Sequence, residues 1–270
     1  EQSKKESETY LEFWKEFGIL IKEGAATDFT YKEDLAKLLR FESTALESGK
    51  LTGLDEYIDR MASDQKEILF LFGKSRESIE AGPYLEALKA RNLEVLLLTE
   101  PVDEYVMQSV REYKEKKIIS ADSDELKLEK LDDEPAGKSL NKKDTKSLCK
   151  WLKDTLKDKV SEVETGDRLI DSPVCIVGGD GMGGASARRV MKMMQGGEAM
   201  MPPTPVKLQV NQRHAIIKGL SGLIKTDEDT AELIANQLLD NALATANLLD
   251  DPREMIARSY QAIEKLTQKE

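Results

Sequence analysis

Apolar residues along this chain follow two rhythms, a helical period of three to four and short unbroken runs, and their alternation predicts helices interleaved with buried strands. In the opening stretch Tyr10, Phe13, Trp14, Phe17 and Ile21 recur at steps of three and four, one apolar stripe of a core helix that Gly24 can terminate. YKEDLAKLLRF carries Leu35, Leu38 and Leu39 at helical spacing. A third helix is expected from Thr52, whose hydroxyl can cap the turn while Asp55 completes a capping box. EILFLF and LEVLLLT are continuous apolar runs, the pattern of strands buried on both faces, and a helix with Pro83 in its first turn separates them. KKIIS supplies a third strand after the helix VDEYVMQSVREY. Strands alternating with helices predict a small, mostly parallel sheet flanked by helices, an α-β-α sandwich of the α/β class.

From Ala121 to Lys146 apolar content falls, charges crowd, and Pro135 and Gly137 interrupt any period. A domain boundary is therefore expected between Asp133 and Asn141, dividing the chain into residues 1–136 and 137–270. The second part opens with a helix holding Leu148, Trp151, Leu152 and Leu156, passes through the strand-like runs VSEV, VCIV and VKLQV, and closes with helices only, an α+β arrangement. Thr226 with Asp229, and Asp251 with Glu254, have capping-box spacing, and Pro252 fits the first position of the last helix. These two helices carry apolar stripes, Ala231, Ile234, Leu238, Ala242 and Leu249 on one, Ile256, Tyr260, Ile263 and Leu266 on the other. Packing on the preceding sheet can absorb one stripe. Burying both with so little sequence left predicts pairing with the same helices of a second copy, a homodimer closed by an intermolecular four-helix bundle.

Composition narrows the partners. With 270 residues, 40% hydrophobic and 34% charged, the chain can bury real cores. A formal net charge of -11 repels phosphate backbones and anionic headgroups, which argues against nucleic acid or a membrane surface as partner. Cys149 and Cys175 belong to no CxxC or Cys/His cluster, so neither zinc nor a disulfide framework is expected, and a reducing compartment fits. No apolar run approaches the roughly 20 residues of a membrane span, and EQSKKESETY is too charged for a signal peptide. Opening directly into a helix without an initiator Met, the sequence reads as a piece of something longer.

Candidate chemistry is sparse. Gly179, Gly181 and Gly184 spell G-x-G-x-x-G between a predicted strand and a predicted helix, with Glu198 at a distance suited to a ribose. A dinucleotide-binding enzyme built on that loop is the alternative reading. It needs a following parallel strand, whereas one strand and then only helices come next. His214 is the single histidine, and VNQRHAIIKGL assigns it a turn or capping role where a strand ends and a helix begins. The acidic pairs Asp132/Asp133 and Asp250/Asp251 fall in the linker and at a helix start, where solvation and the helix dipole account for them. In ASARRVMKMM, Ala187, Val190, Met191 and Met194 share one helical face and Arg188, Arg189 and Lys192 another. Methionines concentrated at Met182, Met193, Met200 and Met201 suit a surface that accepts many shapes, a promiscuous apolar contact site. A purely structural dimerisation module is the third reading.

Taken together, YLEFWKEFGILIKEG, LAKLLRFEST, LDEYIDRM, EVLLLTEPVDEYVMQSVREYKEKK and LQVNQRHAIIKGL resemble, in order, the middle and C-terminal signatures of the heat-shock protein 90 chaperone family. KEDLAKLLRFESTALESGKLT and LLDDPREMIAR look most like its mitochondrial, tumour-necrosis-factor-receptor-associated member or the bacterial high-temperature-protein relatives, which implies a mitochondrial setting or, alternatively, a bacterial cytoplasm. The resemblance implies the distal part of a middle domain followed by a C-terminal dimerisation domain of an ATP-dependent, stress-responsive folding machine. ATP, magnesium and ATP hydrolysis then belong to the full-length protein upstream of residue 1, and this piece has no cofactor and no catalytic residue of its own. By similarity Glu104, Tyr105 and Gln108 match client-contacting positions, and Val190, Met191 and Met194 match an amphipathic helix that projects into the clamp. The partners implied are a second copy and non-native client proteins. Two departures stand out. The chain ends in KLTQKE where cytosolic forms carry an acidic helper-recruiting tail, and GMGGASARR replaces the aromatic residue and asparagine that many relatives place ahead of the helix.

Overall fold

A computed structural model of the protein describes residues 7–28, 30–128, 139–178, 188 and 204–268. It is of mixed α/β class, with two sheets, and its contacts divide the chain into two compact units, Glu1–Ala81 with Leu88–Ala121, and Gly82–Ala87 with Asp122–Glu270. Much of the charge-rich boundary region, residues 129–138, lies outside the described residues.

Along residues 7–121 the elements run α1 (Ser7–Thr27), α2 (Lys32–Ala36), β1 (Glu42–Ser43), α3 (Leu54–Arg60), β2 (Glu67–Phe72), α4 (Arg76–Glu80), then, after a 3-10 turn at Pro83–Leu85 that belongs with the start of α5 to the second unit, α5 (Glu86–Lys89), β3 (Leu96–Leu98), α6 (Pro101–Val110), β4 (Glu112–Tyr113) and β5 (Lys116–Ser120). The sheet order is β1-β3-β2-β5-β4, with a parallel centre (β2 against β3 and β5) and antiparallel edges. The three expected strands form that centre. Ile68 to Phe72 and Leu96 to Leu98 are buried throughout, as a strand covered on both faces requires.

Several local expectations shift. Gly24 does not end α1, which continues to Thr27. A Cβ at Gly24 would sit 3.0 Å from Leu35 Cδ1, so the glycine serves close packing of α2. The predicted stripe also splits: Tyr10 and Trp14 are buried, but Phe13 and Phe17 are 44% and 47% exposed and stack on each other at 5.0 Å. The cap of α3 lies one residue further on than expected. Gly53 N donates to Glu56 Oε2 at 2.9 Å, while Asp55 accepts from Tyr113 Oη at 2.7 Å. Helix α6 stops at Val110 because Arg111 adopts φ 55°, and Glu112–Tyr113 turns into an edge strand.

Helix α1 packs on α6 around a buried charge. Lys22 Nζ lies 2.7 Å from Asp103 Oδ1 and 2.9 Å from Glu100 Oε2, and 5.6 Å from the ring centres of Trp14 and Phe41. Burial pushes the Asp103 carboxyl above its usual range, against the pull of the Lys22 ammonium.

The second unit contains α7 (Lys142–Leu156), β6 (Val160–Thr165), β7 (Val174–Val177), β8 (Val206–Val210), α8 (Ala215–Leu223), α9 (Glu228–Thr245) and α10 (Arg253–Thr267). Its sheet is ordered β6-β8-β7, β6 parallel and β7 antiparallel to β8. Leu148, Leu152 and Leu156 are the buried face of α7, which packs on β6, and α9 packs on β7, α7, α8 and α10. Residues 82–87 group here because their turn packs on β7 and the Glu86 carboxylate accepts from the backbone amides of Ile170, Asp171 and Ser172 at 2.8, 2.8 and 3.1 Å. Arg168 is buried and donates through Nη2 to the carbonyls of Ser123 and Leu126. The cap of α9 is Asp227, one residue beyond Thr226, accepting from Thr230 N at 3.1 Å. Pro252 precedes α10 rather than opening it, and its carbonyl accepts from Ile256 N at 2.9 Å.

Two stability outcomes follow from these arrangements. Lys22→Met removes the partner of a buried carboxylate and should cost about 3–5 kcal/mol at neutral pH in urea unfolding. Asp103 in that variant holds its proton more tightly folded than unfolded, so stability should decline as pH rises from about 4 to 7, and adding Asp103→Asn should abolish the decline. Lys114 and Glu115 occupy φ 47° and 62° in the β4–β5 turn, and replacing them with Asn-Gly should raise stability by about 1 kcal/mol.

Candidate functional site

An amphipathic helix in a single chain turns its apolar face inward. Helix α9 does so: Ala231, Ala235, Leu238, Leu239 and Ala242 are buried, and the alanines let neighbouring elements approach closely. Of its predicted stripe, Ala231, Leu238 and Ala242 thus belong to the unit's own core and Ile234 is half-buried, while Leu249, also half-buried, lies beyond the end of the helix at Thr245. Helix α10 does the opposite. None of its 15 residues is buried, and Ile256, Tyr260, Ile263 and Leu266 stand 45%, 69%, 52% and 72% exposed along one face. This row is the largest uncovered apolar feature of the second unit among the described residues. The helix packs on α9, and its half-buried residues are Met255, Arg258, Ser259 and Ala262.

In the first unit α6 begins at Pro101, with Asp103 Oδ2 accepting from Glu100 N at 3.1 Å across the first turn. Of the three candidate contact residues on it, Glu104 is fully buried, Gln108 is half-buried and Tyr105 is 44% exposed. Tyr105 and Gln108 alone present surface. Glu104 faces inward because it shares a helical face with Met107, which packs in the core. Ala187, Val190, Met191 and Met194, like Gly179, Gly181, Gly184 and Glu198, lie outside the described residues.

Reactive chemistry finds little support. Among the described residues the strand that follows β7 is β8, which pairs with it antiparallel, so these two lack the parallel crossover that a dinucleotide crevice uses. His214 caps α8, its Nδ1 accepting from Ile216 N at 3.1 Å. Burial pushes the Cys175 thiol up to about 12 and raises that of half-buried Cys149, so both hold their protons at neutral pH. Among the described residues no group of three or more His, Cys, Asp or Glu could hold a metal ion, and no helix is long and apolar enough to cross a membrane.

Sequence periodicity found the α10 row because its four residues recur at steps of three and four. It misplaced Phe13 and Phe17, since period alone cannot tell which side of a helix is covered. It also missed Asp240 and Arg258, which meet across 18 positions with no local signal.

A family model described as Hsp90 protein matches residues 1–269. The Chaperone protein HtpG of Desulfotalea psychrophila is 37% identical over 270 residues, 98% of this chain and 43% of that protein. The Chaperone protein HtpG of Desulfitobacterium hafniense is 40% identical over 266 residues, again 98% and 43%. Heat shock protein 75 kDa, mitochondrial, of Bos taurus is 38% identical over 276 residues, 98% of this chain and 39% of its own. The chain therefore spans about two-fifths of the length of the curated relatives it matches.

The contrast between α9 and α10 is measurable. In the diluted single chain Leu238→Ala should cost about 2–5 kcal/mol, as a core truncation, and Tyr260→Ala less than about 0.5 kcal/mol, both read from urea unfolding.

Proposed function

Because the chain belongs to the Hsp90 family, we propose that it is the self-associating, client-holding part of an ATP-driven chaperone, with residues 1–136 the distal middle domain and 137–270 the C-terminal dimerisation domain. The observation that carries this reading is the uncovered row Ile256, Tyr260, Ile263 and Leu266 on a helix with no fully buried residue. In the proposed homodimer α9 and α10 pair with their copies as an intermolecular four-helix bundle. The α10 row and half-buried Ile234 and Leu249 meet the partner, and Leu238 and Ala242 back the interface from within. Magnitudes require both helices. Burying the exposed part of each α10 side chain gains roughly 1 kcal/mol, about 8 kcal/mol over two chains. Association itself costs on the order of 4–15 kcal/mol, so the row alone sustains at best a weak dimer and α9 has to contribute.

Clients, in this reading, are non-native proteins whose exposed apolar segments meet Tyr105 and Gln108 on α6 and the methionine-rich face of Ala187, Val190, Met191 and Met194. Soft, unbranched side chains adapt to varied shapes, which suits a holder of many partners. ATP, magnesium and hydrolysis are assigned to the remainder of the full-length protein. Dimerisation keeps two such arms together and raises the effective concentration of the second once the first has bound. The setting we propose is mitochondrial. The 40% identity to a bacterial HtpG supports a bacterial cytoplasm as the second reading.

Sedimentation equilibrium tests the assembly. The chain should behave as a dimer, and Tyr260→Glu with Ile263→Glu as a folded monomer; an unchanged dimer refutes the assignment. Met191→Ser with Met194→Ser should weaken suppression of a model protein's aggregation while leaving the melting temperature in place. Undiminished suppression would leave a dimerisation module without a client surface.

A further inference from the structure

Helix α10 is fastened to its own chain by charge more than by core. Arg258 Nε and Nη2 both reach Asp240 Oδ2 at 2.8 Å, the side chains being 19% and 9% exposed, and Glu254 flanks the guanidinium at 3.8 Å. Nearer the end of α10, Lys265 Nζ donates to Thr230 Oγ1 at 2.9 Å, and that hydroxyl donates to Asp227 Oδ2, the cap of α9, at 2.6 Å. The antiparallel helix pair is thus clasped at two levels. Position matters more than strength here. At 100° per residue, Arg258 lies about 200° from both Ile256 and Tyr260 and about 140° from Ile263, with Leu266 about 80° round from it at the end of the helix. Holding Arg258 against Asp240 therefore aims Ile256, Tyr260 and Ile263 away from the chain's own core. With no buried residue on α10 to fix its rotation, a guanidinium forked onto a carboxylate is the contact that sets it.

We propose that Arg258 and Asp240 are positioning residues for self-association: their clasp presents the Ile256, Tyr260, Ile263 and Leu266 row as a preformed surface. The proposal rests on the reading of α10 as the dimer surface and adds what orients it. Presenting the row before encounter removes part of the ordering cost of binding. Loss of the clasp weakens assembly although neither residue belongs to the apolar interface.

Sedimentation equilibrium and dilution-dependent fluorescence on the whole chain provide the test, with four variants. Arg258→Gln and Asp240→Asn should each raise the dimer dissociation constant about tenfold or more, the size of a lost coupling between contacting residues. The exchanged pair, Asp240→Arg with Arg258→Asp, should return it to within about threefold of the original, because the clasp is restored with its ends reversed. Helical content of the diluted monomer should hold steady across the set, while its urea midpoint should fall in Arg258→Gln, which leaves the buried Asp240 carboxylate unpaired, and recover in the exchanged pair. If Tyr260→Glu abolishes the dimer while Arg258→Gln leaves its dissociation constant unchanged, the clasp does not position the surface and the inference fails alone. If the exchanged pair stays as weak as Arg258→Gln, the effect lies elsewhere in the side chain and the inference also fails. A Tyr260→Glu chain that remains dimeric overturns the underlying interface reading, and the clasp with it.

Discussion

A helix with four large apolar side chains on one face has to bury that face somewhere, because each fully buried residue of this kind is worth roughly 1.5–3 kcal/mol. In the second unit this constraint is met for α9 and left open for α10. Helix α9 lays its alanines and leucines against α7, α8 and β7 and becomes core. Helix α10 turns its apolar row outward, its other residues being at most half-buried, and Arg258 and Lys265 join it to α9 at Asp240 and Thr230. The rest of the unit can be understood from this division. The three-stranded sheet and α7 give α9 a place to dock, and α9 gives α10 a platform.

The first unit solves a related problem with the same device. Helix α1 meets α6 through Lys22 and Asp103, a charge pair sunk between Trp14 and Phe41. In each unit a charged contact joins one helix to the next, Lys22 to Asp103 and Arg258 to Asp240. Such pairs are poor sources of net stability, because desolvation offsets most of the attraction. Their value is in specifying one rotation and one register, which matters for surfaces that must be presented in a defined direction.

Much of this was legible in the residue pattern. The runs EILFLF, LEVLLLT and KKIIS became the parallel centre of the first sheet, VSEV, VCIV and VKLQV the second sheet, and the alternating 3.6-residue period located the long helices. What period does not encode is which apolar face a neighbour covers. Tyr10 and Trp14 are core and Phe13 and Phe17 are not, although all four lie on the predicted stripe. Caps slipped by one residue at Gly53 and Asp227, where two adjacent polar or small residues compete for the same turn and the packing of the helix decides between them. Glu104 looks like a surface acid beside Tyr105, yet it is buried, since α6 turns that face toward the core. The exposed row on α10 was visible as a stripe, but its outward direction depends on Arg258 and Asp240, a pair 18 positions apart.

The central claim is that the α10 row finds its cover in a second copy of the chain. Amide hydrogen exchange of residues 253–267, followed as protein concentration is raised through the dimer's dissociation constant, tests this most directly. The account predicts that protection of α10 grows with concentration while that of α7, packed within one chain, stays constant. Protection of α10 that is independent of concentration would contradict it.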